Sequence, residues 1–154
     1  MGFEILNNST KVYVSKKNTY FLVGLSIIYI TCLTIFMLWD ILNTNVNQKS
    51  NAIRIWLIQY LTTAGFLALF VIYTIMSSIE RVSVGILYVL TWIIIWFGFA
   101  FGRLIVIQKF IALDGINITL FVLALIGFFF IIKDIFELKR IKKYEKMKKR
   151  QYKL

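Results

Sequence analysis

Four charged residues, Asp40, Arg54, Arg103 and Asp114, each border a long uncharged stretch. Two carboxylates and two guanidinium groups at one depth can pair with each other, bind a small anion or receive a charged residue of a partner. Carboxylates can also serve as general acid and base. Nothing nearby marks a nucleophile, so an enzyme is not expected. Histidine is absent and Cys32 is the single cysteine. That removes the commonest general base and metal ligand, an intramolecular disulfide and a Cys-x-x-Cys redox pair. No zinc, haem or iron–sulfur site of a usual kind can be built, and no cofactor or metal is expected.

The elements that must position these charges are the uncharged stretches 18–39, 55–79, 82–102 and 115–132, of 22, 25, 21 and 18 residues. About 20 apolar residues cross a bilayer. Over 154 residues, 60% are hydrophobic and 16% charged, against about 45–50% and 25% in soluble domains. The expected fold is therefore an all-α integral membrane protein of four antiparallel transmembrane helices. Its membrane domain covers 20–138, with spans at about 20–39, 55–76, 82–104 and 115–135. A cytoplasmic head, 1–19, precedes it, and a basic cytoplasmic tail, 139–154, follows. No second, water-soluble domain is expected.

Orientation follows from the basic residues. With four spans the head, the middle connection and the tail share one side and carry 14 Lys and Arg, against four (Lys49, Arg54, Arg103, Lys109) on the other. Both termini are expected in the cytoplasm, N-in and C-in. Lys11, Lys16 and Lys17 before the first span resemble a signal peptide, but the long apolar run ending in Trp39-Asp40 reads as an uncleaved anchor. Leu6 is not the Ser or Thr that N-myristoylation requires. The sequons at Asn7, Asn8 and Asn117 matter only in a secretory pathway. Richness in Ile, Lys, Phe, Tyr and Asn without Pro is a bias that AT-rich codons produce, which points to a low-GC bacterium and its cell membrane.

Ser77-Ser78-Ile79-Glu80-Arg81 is the only polar break between spans two and three, so a tight hairpin is expected there. Trp39 and Trp56 belong at the outer interface, whereas Trp92 and Trp96 fall mid-span and are expected to pack against neighbouring helices. Gly98 and Gly102, four apart, lie on one helix face and permit close helix packing, first within the bundle and alternatively between copies. Ala64 and Ala68 form a weaker version. Arg103, about one turn below the surface, must snorkel or find Asp114 or Asp40. If the pair is structural, losing the carboxylate is expected to cost more than losing Arg103.

Residues 133–154 hold ten basic and three acidic residues, and Ile135, Leu138, Ile141, Tyr144 and Met147 recur every three positions. A basic amphipathic helix that adsorbs to anionic lipids is expected, with an acidic cytoplasmic partner the other option. Nucleic-acid binding is disfavoured, because one short basic helix carries no reading motif.

The chain is similar in span number to the small multidrug exporters, but their essential first-span carboxylate has no counterpart: 20–39 offers only Ser26, Thr31, Cys32 and Thr34. A phage holin is similar in its charged tail, by composition alone. No span carries a central ionisable residue, which disfavours an ion-coupled pump. Two functions remain. The first is a non-catalytic accessory, regulatory or self-protection (immunity-type) module acting by helix packing, with a membrane-protein partner, and by its tail. The alternative is a small homo-oligomeric transporter, channel or holin-like pore.

Overall fold

Apolar stretches of this length satisfy their backbone away from water only as helices or closed barrels, and no proline interrupts them. The computed structural model describes residues 11–152. It contains α1 (Lys16–Asn43), a 3-10 turn (Val46–Gln48), α2 (Lys49–Ser78), α3 (Ile86–Ile107) and α4 (Ala112–Gln151). All four α-helices are long and apolar enough to cross a membrane. The myristoylation reading at Leu6 and the sequons at Asn7 and Asn8 lie outside the described residues.

The helices start and stop for local reasons. The Ser15 hydroxyl accepts from the Asn18 N–H and caps α1, so the helix begins at Lys16 rather than 20. Beyond α2, Glu80 adopts a left-handed backbone (φ 61°) that breaks the helix, and the Arg81 N–H folds back onto the Met76 carbonyl at 3.0 Å. Gln108, also left-handed (φ 55°), closes α3 by donating to the Leu104 carbonyl. Asp114 opens α4, its Oδ2 accepting from the Ile111 N–H at 2.8 Å.

Long-range contacts fix the antiparallel order. Val84 donates to the Val12 carbonyl at 2.9 Å, the buried Val14 N–H donates to Ser77 Oγ at 3.0 Å, and Asn18 Nδ2 donates to the Gly127 carbonyl at 2.9 Å. The start of α1, the end of α2, the start of α3 and the middle of α4 thus meet at one end of the bundle. At the other end Trp56 of α2 donates its indole N–H to Asp40 of α1, and Arg103 of α3 pairs with Asp114 of α4. Residues 12–14, read from sequence as part of a polar head, instead tuck beneath the bundle, with Val14 buried. In the connection after α2 the Val82 N–H turns back to the Met76 carbonyl and Val84 pairs with Val12, and α3 starts at Ile86, four residues later than the span expected there.

α1 packs between α2 and α4, and α4 between α1 and α3. The consecutive helices α2 and α3 behave differently. Their connection is short, as expected, but their backbones approach closely at few points because rings fill the space between them. Phe70 meets Trp92 and Trp96 at 4.8 and 5.9 Å between centroids, and Tyr73 stacks on Tyr88 at 5.0 Å. Trp92 and Trp96 are buried there, as their mid-span positions imply. Rings of this size bring a large apolar area and edge-to-face attraction, but they cannot let two backbones touch.

The closest glycine-mediated approach lies elsewhere. A Cβ on Gly127 of α4 would stand 2.7 Å from Leu22 Cδ2 and 3.1 Å from Asn18 Oδ1 of α1. Gly127 therefore admits α1. α4 itself continues unbroken for 40 residues, about 60 Å at 1.5 Å per residue. Its apolar stripe is covered as far as Ile135, whereas Ile141, Tyr144 and Met147 are exposed.

Candidate functional site

At the Asp114 end of the bundle the expected four-charge cluster divides. Arg103 Nη1 lies 2.8 Å from Asp114 Oδ2, with the Asp114 side chain fully buried and that of Arg103 14% exposed. Asp40 is taken by the Trp56 indole rather than by a cation. Arg54 is exposed and makes no ion pair among the described residues. The pairing expected for Arg103 is thus found with Asp114, while Asp40 and Arg54 stand apart from it.

This pair is unevenly satisfied. Oδ2 accepts from both Arg103 and the Ile111 N–H, whereas Oδ1 is buried without a hydrogen-bond partner. Nearby on α3, Trp96 Nε1 is also buried and unpartnered. Tyr29 of α1, packed edge-on against Trp96, sends its hydroxyl to the Phe99 carbonyl at 3.4 Å. An unmade hydrogen bond in a buried site costs about 1–3 kcal/mol, so Trp96 and Asp114 are held by packing despite that penalty.

On the sequence alone Arg103 is the group left stranded when the pair breaks, whereas the burial of the two partners argues the other way. Arg103 borders an open groove, and it is Asp114 that has no exposure. Loss of Arg103 therefore leaves the worse orphan.

The groove beside Arg103 runs between α2 and α3. Tyr29, Gln59, Thr63, Gly98, Phe99 and Gly102 line a volume of about 340 Å³. Gln59, Thr63, Gly98 and Phe99 also line an adjoining volume of about 370 Å³ that reaches Phe66 and Ile95. Together they form one trough along the α2–α3 seam, and the ring wedge explains it: rings hold the two helices apart and leave the seam open beyond them. A Cβ on Gly98 or Gly102 would meet nothing within 4 Å. The close packing expected within the bundle at these glycines is accordingly not found in this chain, and they present bare backbone to the trough. Thr63 is 5% exposed and lines both volumes. Neither its hydroxyl nor the Gln59 amide has a side-chain hydrogen bond among the described residues. Sequence reasoning missed Thr63 and Gln59, because neither belongs to a spaced motif. The weaker pair, Ala64 and Ala68, lines a separate groove on the α1 side with Ser26 and Thr31.

Chemically the trough offers a hydroxyl, an amide and a guanidinium edge on an otherwise apolar surface. Among the described residues no three His, Cys, Asp or Glu side chains come together as a metal site would require. No protein-family model matches the chain, and comparison with the curated proteins and with solved structures gave no match.

Proposed function

We propose that the chain is a non-catalytic, multi-pass module of the cell membrane, with both termini cytoplasmic, and that the α2–α3 trough receives a helix of a partner membrane protein. The observation that carries this reading is the trough itself: bare backbone at Gly98 and Gly102 beside two unpartnered polar side chains, Thr63 and Gln59. In lipid, helices associate through close packing at small residues and through hydrogen bonds between polar side chains, because burial of apolar surface gives little drive there. A helix seated in the trough would bring its backbone to the glycines and give Thr63 and Gln59 the partners they lack. The role is that of an accessory, regulatory or self-protection subunit. The basic tail adds contacts with anionic headgroups.

The alternative, a homo-oligomeric transporter or pore, would place its path between copies, since Tyr29, Phe70, Trp92, Trp96 and Phe128 fill the interior of one copy. Extraction from native membranes in mild detergent, followed by mass measurement, separates the two. The chain is 18.1 kDa. The module reading expects an added mass that is not a multiple of this value and that Gly98→Leu with Gly102→Leu abolishes. Integral multiples would establish the homo-oligomer, and a monomer in the wild type would remove the docking role.

A further inference from the structure

A further groove lies at the opposite end of the bundle from Arg103, between α1 and α4, with a volume of about 500 Å³. Its walls are Phe21 of α1 and Ile126 and Phe130 of α4, and its mouth holds Ser15, Lys17, Lys133 and Asp134. The two helices run antiparallel, which gives both walls the same vertical order. On α1, Lys17 stands one turn before Phe21. On α4, Lys133 follows Phe130 by one turn. Each wall therefore carries a cation above a ring, with the cations toward the end of the membrane domain and the rings toward its middle.

That layering matches a phospholipid. We infer that the α1–α4 groove binds one anionic glycerophospholipid, with its phosphate between Lys17 and Lys133 and an acyl chain along Phe21, Ile126 and Phe130.

Charge at the mouth favours an anionic occupant. Lys17 and Lys133 outnumber Asp134, and Lys16 lies next in sequence. Lys133 is only loosely held by Glu137, at 3.9 Å with both side chains largely exposed, so its ammonium is available to a phosphate. Ser15 Oγ accepts from the Asn18 N–H and keeps its own proton to donate. Asn18, which also lines the groove, spends one of its two Nδ2 donors on the Gly127 carbonyl and keeps the other. Asp134 accepts hydrogen bonds only, which suits a headgroup carrying hydroxyls, as phosphatidylglycerol does. The apolar walls are 39% to 52% exposed, an area that a bound acyl chain would cover. A basic tail attracts a whole anionic surface through its field, whereas this groove selects a single molecule by pairing two lysines with an apolar slot.

Native mass spectrometry of the full-length chain, released from micelles holding equal phosphatidylglycerol, phosphatidylethanolamine and phosphatidylcholine, tests the inference. The wild type should retain one phosphatidylglycerol in preference to the other two. Lys17→Gln with Lys133→Gln should lower that retention about tenfold or more. Ile126→Trp, at a half-exposed position, should block the slot with both lysines in place and lower it likewise. Lys142→Gln with Lys146→Gln and Lys149→Gln in the tail should leave it unchanged. Equal retention of the three lipids by the wild type would overturn the inference. So would retention that survives both groove variants, or that is lost only in the tail variant. The trough between α2 and α3 is untouched by these substitutions, so the outcome is independent of the docking reading.

Discussion

Removing Arg103 should harm the protein more than removing its carboxylate partner. Asp114 is fully buried, whereas Arg103 is 14% exposed and borders the trough. Arg103→Met leaves a carboxylate that cannot move to water, because its position is fixed at the first turn of α4 by the Ile111 N–H. Breaking a buried pair from one side costs about 3–5 kcal/mol, and this variant should fall in that range. Asp114→Asn leaves a guanidinium on a long stem that can snorkel along the trough toward the headgroups, while the amide oxygen still accepts from Ile111. Its cost should be about 1–3 kcal/mol, that of one mismatched buried polar contact. The double variant Arg103→Met with Asp114→Asn strands no charge and should return to within about 1 kcal/mol of the wild type, since neutral replacements of buried pairs are often tolerated. Equilibrium unfolding in mixed micelles, followed by fluorescence of the four tryptophans, gives the three free energies and the coupling between the sites. If Asp114→Asn proves as costly as Arg103→Met, the burial argument is wrong. Strictly additive singles would mean that the two side chains do not interact at all.

Gly127→Ala should destabilise by about 1–3 kcal/mol, because its methyl would collide with Leu22 and crowd Asn18 in a packed seam. Gly98→Ala should leave monomer stability within about 0.5 kcal/mol in the same unfolding assay, as an exposed change away from packed contacts does; the opposite ranking would contradict the packing described. Ser77→Ala strands the buried Val14 N–H and should cost about 1–3 kcal/mol, with faster amide exchange at Val14 as the local signature. Reporter fusions within 43–50 and after the tail should read opposite sides of the membrane, from the 14-to-4 distribution of Lys and Arg; the same side for both would refute the span count or the orientation.

The four long apolar helices were legible because hydropathy alone marks a run of about 20 uncharged residues, whatever it packs against. The Arg103–Asp114 pair was legible for a related reason: charges at the ends of adjoining spans have few other places to go. Partner choice was less so. Asp40 could equally well accept from a cation or from an indole, and only the register of α1 against α2 puts Trp56 within reach. The small-residue spacing at Gly98 and Gly102 showed a face open to close approach without saying which helix would use it. Gly127, which a helix does use, stands between Leu123 and Ile131 with no small residue four positions away, and so carries no such spacing. The strand-like pairing of residues 12–14 beneath the bundle depends on two segments about 70 residues apart, and Lys11-Val12-Tyr13-Val14 holds no sign of its partner. Thr63 acquires meaning only because the Phe70, Trp92 and Trp96 rings hold α2 and α3 apart, a consequence of side-chain volume across two helices rather than of either sequence alone.

The trough as a docking surface is tested most directly by site-resolved crosslinking in the native membrane. A photoreactive side chain would be placed at Gly98, in the trough, and separately at Val122 of α4, which is 52% exposed and lines neither part of the trough. The account predicts a discrete adduct with one membrane protein of different mass from position 98, lost when Thr63→Val and Gln59→Leu remove the polar contacts, and only lipid adducts from position 122. Identical lipid adducts from both positions would contradict it.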